Sequence, residues 1–347
     1  MTRRRAAASV VAVTGAGEGL GRALTERLAR RTELAAVVGI DTTVGRIDGV
    51  VWRRGDVRDP LLRQWLAGAG TVVHLATTYD AALDPVERRA RNVRGTAAVI
   101  EAARAAGVRR LVLVTSADVY GAAPANPVPL PDDHPLGALP GLDLLGDHVE
   151  MERLAAASGL EVAVLRPAAL VGGALGPAYD GGLLRQLAAP RLLAPRGAEP
   201  LWQLCHTDDL LVALELVVTL GLSGPLPVAA DGSLPQSVVE RIAGRRRVEL
   251  PASVALSTAE RLHRLGVSTA APRELDHLLG PVVVGSTRLR AAGWRPAWTN
   301  EAALRAHLAE RARSEGRGGS YTAAGATVAL LGTAALVRRS RRRRRGL

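Results

Sequence analysis

Short, nearly continuous apolar runs rich in Val, Leu and Ala alternate with longer segments whose apolar residues recur at helical spacing. Six of these runs are predicted as strands, within residues 9–13, 34–43, 49–60, 70–78, 108–121 and 159–173. Strands that are apolar throughout are typically buried on both faces, and strands that alternate with helices form parallel sheets. The pattern therefore predicts an α/β protein built on a doubly wound parallel sheet.

The first strand leads directly into a glycine-rich turn and then into a helix that carries Leu24 and Leu28 on one face. Glycine lets the backbone turn sharply and lets a diphosphate approach the helix N-terminus, where free N–H groups and the helix dipole favour negative charge. The motif predicts dinucleotide binding, against the alternative of a plain tight turn. The predicted diphosphate contacts are Gly15, Gly17, Glu18, Gly19, Leu20 and Gly21.

Asp41 ends the second predicted strand, about twenty residues after the last glycine of the turn. A carboxylate there accepts hydrogen bonds from the adenosine ribose and repels a 2′-phosphate, so NAD is favoured over NADP. Arg46 argues for NADP, because its guanidinium would attract that phosphate, and a solvated strand end is the alternative role for Asp41. Asp56 and Val57 follow the third strand, where they would flank the adenine ring.

Beyond residue 172 the spacing becomes irregular and rich in Gly and Pro. We predict a dinucleotide-binding domain over residues 1–172 and a smaller substrate region over 173–315. Within that region, one strand and helix at about 201–221 return to the main domain. Residues 316–347 form a polar linker, an apolar segment and a polybasic tail.

The net charge of +12 comes mostly from the two ends, because ten of the 45 basic residues, all Arg, lie in the first five and last ten positions. The rest of the chain carries about +2 and has no basic stripe with interleaved aromatic residues, so we expect no nucleic-acid partner. A single cysteine, Cys205, excludes an internal disulfide and fits a reducing compartment. The basic N-terminus runs into a strand and is not interpreted as a signal peptide, so we expect a cytoplasmic protein. No His or Cys set has metal-site spacing, and no metal is predicted.

The apolar segment 321–337 would form a helix about 26 Å long, short of a ~30 Å hydrocarbon core. Seven arginines follow it. Apolar burial combined with a polybasic end predicts peripheral attachment to an anionic membrane surface on the cytoplasmic side. A single membrane span and a disordered tail that contacts nucleic acid remain the alternatives.

Several motifs occur in the order found in one enzyme family: "TGAGEGLG", Asp41, "GDVRD", "VVHLA", "RNVRGT", "LVLVTSADVYG", "LRPAALVGG", "CHTDDLLVALE" and "LRAAGWRP". Over about residues 8–310 the chain resembles the extended short-chain dehydrogenases/reductases, also called NAD-dependent epimerases/dehydratases. The resemblance implies a Rossmann fold and a small-molecule substrate such as a nucleotide sugar or a hydroxysteroid. A homodimer is also expected. The further cofactor contacts that the resemblance implies are Leu75, Ala76, Thr115, His148 and Pro167.

In this family a Tyr is the general acid/base, a Lys four residues on lowers its pKa, and a Ser or Thr after the fifth strand binds the reacting oxygen. Ser116 matches the Ser/Thr position, but Leu144 stands at the Tyr position and His148 at the Lys position. The chain contains no lysine, so no shift of register recovers the pair.

Two hypotheses follow from the missing pair. In the first, the chain is an NAD-binding sensor, scaffold or carrier without catalysis. Alternatively, it is an oxidoreductase or epimerase in which His148, with Asp147 or Asp143, replaces the acid.

Overall fold

The computed structural model describes residues 9–80, 83–173, 182–188, 191–197, 199–251, 254, 257, 261 and 279–316. The predicted apolar segment 321–337 and the arginine-rich end lie outside these residues. Within the described part of the chain, no helix has both the length and the apolar character needed to cross a membrane.

The described residues form thirteen strands and nine α-helices. The strands are β1 (Ser9–Thr14), β2 (Leu34–Asp41), β3 (Val50–Arg54), β4 (Thr71–His74), β5 (Arg110–Val114), β6 (Glu161–Pro167), β7 (Ala169–Val171), β8 (Arg191–Pro195), β9 (Leu201–Trp202), β10 (Leu204–His206), β11 (Gly224–Val228), β12 (Leu234–Pro235) and β13 (Arg246–Leu250). The helices are α1 (Gly19–Ala29), α2 (Leu62–Trp65), α3 (Pro85–Arg89), α4 (Gly95–Ala105), α5 (Leu144–Ala156), α6 (Thr207–Leu220), α7 (Gln236–Ala243), α8 (Thr287–Ala291) and α9 (Asn300–Gly316). A π-helical turn, Ala90–Arg94, joins α3 to α4.

Seven strands form one parallel sheet in the order β11-β6-β5-β4-β1-β2-β3. The prediction of a doubly wound α/β fold is confirmed. The pattern of apolar runs missed β11, whose sequence is GPLPV. Pro225 and Pro227 break the usual strand signal, but β11 lies at the edge of the sheet, where proline is tolerated because fewer N–H groups are needed for pairing.

Both faces of the sheet are covered, which explains why its strands are apolar throughout. Val112 and Val114 of β5 belong to one core cluster, whereas Leu111 and Leu113 belong to the cluster on the other side. This alternation follows from the two-residue period of a strand. Helix residues that complete the two clusters are Leu24, Leu28, Leu210 and Leu214 on the first side and Leu62, Leu66, Val99 and Ile100 on the second.

The later strands outside the main sheet form three small two-stranded pairs, β10 with β7, β12 with β9 and β13 with β8. A third core cluster, which includes Trp202, Leu204, Val239 and Leu304, fills this region. Helix α6 then returns to the main sheet and packs beside α1. Glu215 of α6 pairs there with Arg27 at 2.8 Å and Arg31 at 2.7 Å.

Candidate cofactor-binding site

The glycine turn lies between β1 and α1, at the point where the strand order reverses between β1 and β4. Gly15 has a φ of +72°, and a Cβ atom there would lie 2.6 Å from the carbonyl carbon of Leu75. A Cβ atom on Gly21 would lie 1.8 Å from the carbonyl oxygen of Gly15. Because neither residue has a side chain, the turn stays close to β4 and the N-terminus of α1 stays open to an anion.

The other predicted residues of the turn contribute in different ways. Glu18 is the N-cap of α1, and its exposed side chain makes no capping hydrogen bond. Gly19 has a φ of +51°, a conformation that favours glycine. Leu20 is buried in the core, so only its backbone N–H is suited to contact a diphosphate.

Asp41 is held against the glycine turn. Its carboxylate accepts hydrogen bonds from the backbone N–H of Gly17 at 2.9 Å and of Thr43 at 3.0 Å. These bonds fix the carboxylate at the end of β2, the place where adenosine ribose hydroxyls bind in folds of this type. Arg46 is exposed on the loop that follows.

Asp56 and Val57 follow β3 on the same side of the sheet. The Asp56 carboxylate accepts hydrogen bonds from the Arg58 side chain, with Nε and one terminal nitrogen each at 2.8 Å. The hydrogen bond from Arg58 lowers the pKa of Asp56. Val57 is buried in the second core cluster, so its side chain packs against the core at the end of β3.

The ends of β1 and β4 are joined by a buried polar contact. Thr14 Oγ1 lies 2.7 Å from Nδ1 of His74 and accepts a hydrogen bond from the N–H of Ala76 at 3.4 Å. The N–H of Leu75 donates to the Thr14 carbonyl oxygen at 3.1 Å. Burial lowers the pKa of His74 to about 4, so the imidazole is neutral at pH 7. Pro167 closes the same edge as the buried last residue of β6.

Thr115 is tied to a buried ion pair beneath the site. Its hydroxyl donates to Glu152 Oε1 of α5 at 2.7 Å. Arg166 of β6 donates to the same carboxylate through Nε at 3.1 Å and a terminal nitrogen at 2.5 Å. The guanidinium carbon also lies 4.7 Å from the centre of the Tyr120 ring. These contacts fix α5 to the ends of β5 and β6.

Ser116 follows Thr115 at the end of β5. Its hydroxyl accepts a hydrogen bond from the N–H of Asp118 and donates to an Asp118 carboxylate oxygen, both at 3.1 Å. The serine therefore caps the short 3₁₀ helix Ala117–Tyr120.

Helix α5 begins at Leu144, and Asp143 is its N-cap, accepting a backbone N–H at 2.7 Å. The Asp147 carboxylate pairs instead with Arg88 at 2.9 Å and Arg89 at 3.3 Å. Asp147 and Arg88 are both almost fully buried. Both carboxylates proposed as partners of His148 are thus engaged in other contacts.

His148 is 3% exposed, and its imidazole forms no hydrogen bond with the residues that the structure describes. Burial, and to a smaller extent the charge of Arg88, lowers its pKa to about 4. The ring of Tyr79 lies beside it, with 5.2 Å between ring centres and a 58° tilt. The Tyr79 hydroxyl donates to the carbonyl oxygens of Val114 at 3.0 Å and Thr115 at 3.4 Å.

Known proteins resemble this chain in sequence and in fold. A family model described as NAD(P)H-binding matches residues 15–182. A Streptomyces protein named 3-diazoavenalumate denitrifying reductase is 35% identical over 241 residues, which cover 65% of this chain and 77% of that protein. An uncharacterised protein of Mycobacterium tuberculosis is 31% identical over 308 residues, covering 84% of this chain and 81% of that protein.

Among solved structures, DesIV, a dTDP-glucose 4,6-dehydratase from Streptomyces venezuelae with NAD and TYD bound, superposes with a TM-score of 0.65. The match covers 89% of this chain and 98% of DesIV at 18% identity, so it shows the fold. The chain belongs to the extended short-chain dehydrogenases/reductases. It is an NAD(P)-binding protein of the epimerase/dehydratase type, and the predictions of family, fold and cofactor class are confirmed.

Two residues of this short-chain dehydrogenase/reductase family member, Tyr79 and Asn92, contribute to the region around His148 but had no role predicted from the sequence. Tyr79 is one of four tyrosines in the chain and lies three residues after the "VVHLA" motif. Asn92 lies in the "RNVRGT" motif and holds the backbone beside Tyr79: its Oδ1 accepts from the N–H of Thr78 at 2.8 Å and its Nδ2 donates to the Thr78 carbonyl at 2.9 Å. Asn92 lies in the π-helical turn, a feature that is frequent at functional sites.

Proposed function

We propose that this short-chain dehydrogenase/reductase binds NAD at the carboxyl edge of its sheet and does not perform the proton transfer of its family. The observation that carries the proposal is the start of α5. Leu144 begins this helix, and a buried, neutral His148 follows one turn later. By the resemblance of the sequence, these two residues occupy the positions of the family's tyrosine and lysine. Loss of a general acid/base typically costs about 10²–10⁴ in rate.

The adenosine and diphosphate half of the site supports retained binding. The turn has no side chain at four positions, Gly15, Gly17, Gly19 and Gly21, and the residues present therefore fit a dinucleotide diphosphate. The fixed Asp41 carboxylate favours NAD over NADP, because it would repel a 2′-phosphate. The second half of the nucleotide would lie against the residues at the ends of β4, β5 and β6, which are Leu75, Ala76, Thr115 and Pro167.

The substitute acid is less well supported. A histidine with a pKa of about 4 is a neutral imidazole at pH 7, and its remaining N–H is too weak an acid to replace the tyrosine. Asp143 caps the helix, and its charge raises the pKa of His148 by less than burial and Arg88 lower it. Asp147 pairs with two arginines. Ser116 would remain as a hydrogen-bonding group for a bound small molecule.

The test combines binding with turnover. Calorimetric titration with NAD, NADH and NADP should show binding, with NADP the weakest. Absorbance at 340 nm should then stay constant when nucleotide sugars or hydroxysteroids are added with NAD or NADH. Turnover that is abolished by His148→Ala would replace the non-catalytic proposal with the substitute-acid alternative. Failure to bind any of the three nucleotides would overturn both.

A second candidate function is reduction of an electron-poor acceptor, favoured by the 35% identity to the reductase that is named for a diazo compound. Hydride delivery to a strongly electrophilic nitrogen does not need a tyrosine to protonate an alkoxide. Leu144 would then be compatible with activity. Consumption of NADH with a diazo-substituted phenolic acid, at a rate unchanged in His148→Ala, would establish this function.

We also propose that the polybasic tail attaches the protein peripherally to an anionic membrane from the cytoplasmic side and that the protein is a homodimer. Flotation with anionic liposomes at low and high salt should recover the full chain but not a chain lacking residues 318–347. A full chain that never floats would overturn the attachment. Light scattering of the full chain should give twice the monomer mass.

A further inference from the structure

The order of the strands separates the two halves of the proposed NAD site. Asp41 lies at the end of β2, on one side of β1, and would take the adenosine ribose. The diphosphate would cross the glycine turn at the end of β1. The second nucleotide half therefore falls on the other side of β1, at the ends of β4 and β5.

Tyr79 and His148 meet at that place from two different elements. Tyr79 follows β4 and its hydroxyl is bonded to the carbonyls at the end of β5, whereas His148 belongs to α5. The hydrogen bonds of Asn92 to Thr78 hold the neighbouring backbone. The phenol ring is therefore held in one orientation beside His148.

The charges around His148 are balanced. Arg88 is the cation that faces His148, and its partner is the buried Asp147, which also pairs with Arg89. Asp143 is the anion that faces His148 from the start of α5. Two guanidinium groups and two carboxylates thus leave no net charge, and the imidazole adds none at neutral pH.

We propose that Tyr79 and His148 form the nicotinamide end of the site and make the protein bind oxidised NAD more tightly than NADH. This inference rests on the proposed function. The oxidised nicotinamide ring carries a positive charge and the reduced ring does not. An aromatic face attracts a cation through its quadrupole, and the pair offers no positive charge to oppose it.

The experiment is calorimetric titration of the full chain with oxidised NAD, NADH and ADP-ribose at pH 7.5. We expect oxidised NAD to bind about three- to thirtyfold more tightly than NADH, the range that a cation–π contact supplies. Equal affinities, or tighter binding of NADH, would overturn the inference. ADP-ribose lacks the nicotinamide ring, so its failure to bind would overturn the proposed function itself.

Three variants identify the residues responsible. Tyr79→Leu keeps an apolar side chain but removes the aromatic face, and should bring the NAD-to-NADH affinity ratio close to one. Tyr79→Phe keeps the face and should keep the ratio within about twofold of the wild type. His148→Lys places a positive charge beside the ring and should weaken oxidised NAD selectively. Unchanged ADP-ribose affinity in each variant shows that the fold is intact, and an unchanged ratio in Tyr79→Leu would contradict the assignment.

Discussion

The two halves of the proposed nucleotide site depend on different parts of the chain, one on backbone groups and the other on side chains. The half around β1, β2 and α1 depends on backbone: glycines that avoid a clash, N–H groups at a helix start, and one carboxylate fixed by two N–H bonds. The half around β4, β5 and α5 depends on side chains, chiefly Tyr79, His148 and the ion pairs that surround them. Under the proposed function, the first half keeps its role in binding and the second half has lost the proton transfer of the family.

The difference shows how binding and chemistry can separate within one fold. The glycine turn is required by the packing of α1 on the sheet, so the same residues serve both folding and binding. Under the proposed function, Leu144 and His148 occupy the positions of the family's acid/base pair, and both lie in the continuous helix α5. Function therefore depends on the site and not on the fold alone.

The largest loss of stability is expected in the half around β4, β5 and α5, which we call the side-chain half. The experiment tests whether this half is held as rigidly as the half around β1, β2 and α1, which we call the backbone half. Glu152→Ala would leave Arg166 buried without its partner and remove the acceptor of the Thr115 hydroxyl. Breaking a buried pair in this way typically costs about 3–5 kcal/mol of unfolding free energy. Urea denaturation followed by circular dichroism measures the loss.

The matched control is Glu150→Ala on the same helix, since Glu150 pairs with the exposed Arg153 at 2.7 Å. That change should cost less than about 1 kcal/mol. Equal losses for the two variants would mean that the buried pair does not stabilise this half of the site.

The next effect tests the backbone half. In Gly21→Ala the new methyl group would meet the carbonyl oxygen of Gly15, so the turn or α1 must shift. We expect a loss of about 1–3 kcal/mol or more in unfolding free energy, and no measurable NAD binding. Gly95→Ala in α4 is the control, because its new Cβ would have its nearest contact at 3.4 Å. Intact NAD binding in Gly21→Ala would show that the tight turn is not needed for the site.

A smaller effect, on NAD affinity, is expected from removing the Asp41 carboxylate, which contacts the glycine turn and lies at the proposed ribose position. Asp41→Ala should weaken NAD binding by about 10- to 100-fold, which corresponds to the free energy of hydrogen bonds to a charged group. The variant should weaken NADP binding much less. Asp48→Ala removes an exposed carboxylate a few residues away and should change neither affinity. If both variants bind NAD like the wild type, Asp41 is only a solvated strand end.

The smallest expected effect is a pH dependence of the unfolding free energy, which comes from the buried His148 and His74 in the side-chain half. Burial lowers the pKa of His148 and of His74 to about 4, below the ordinary 6.5, so the unfolded chain binds more protons than the folded chain between these values. Stability should therefore fall as the pH drops from 6.5 toward 4. At pH 5.5 the loss should be about 1 kcal/mol for each histidine.

His148→Leu should remove one of these two contributions, as seen by urea denaturation at pH 7.5 and pH 5.5. Measurements at pH 7.5 and pH 8.5 serve as the control, because both lie above the titration range of the two histidines. An identical loss in the variant and the wild type at pH 5.5 would contradict a buried, neutral His148.

The features that were predicted from the sequence are those whose defining residues all lie within one short segment. The glycine turn, Asp41 and six of the seven sheet strands were each predicted from neighbouring residues. Sequence reasoning missed β11 because two prolines hide an edge strand, and it missed Tyr79 because nothing in "ATTYD" indicates a partner. It also grouped Asp143 and Asp147 with His148 on proximity alone, whereas the structure gives both carboxylates other partners.

The sequence by itself determined the doubly wound sheet, the family and the absence of lysine from the chain, since each follows from residue identity and local spacing. Only the tertiary structure decided what surrounds His148. The helix that carries it meets Tyr79 from the end of β4 and Arg88 from α3, which lie far from it in the chain. The charge state of an imidazole depends on burial and on neighbours in space, and these exist only once the chain has folded.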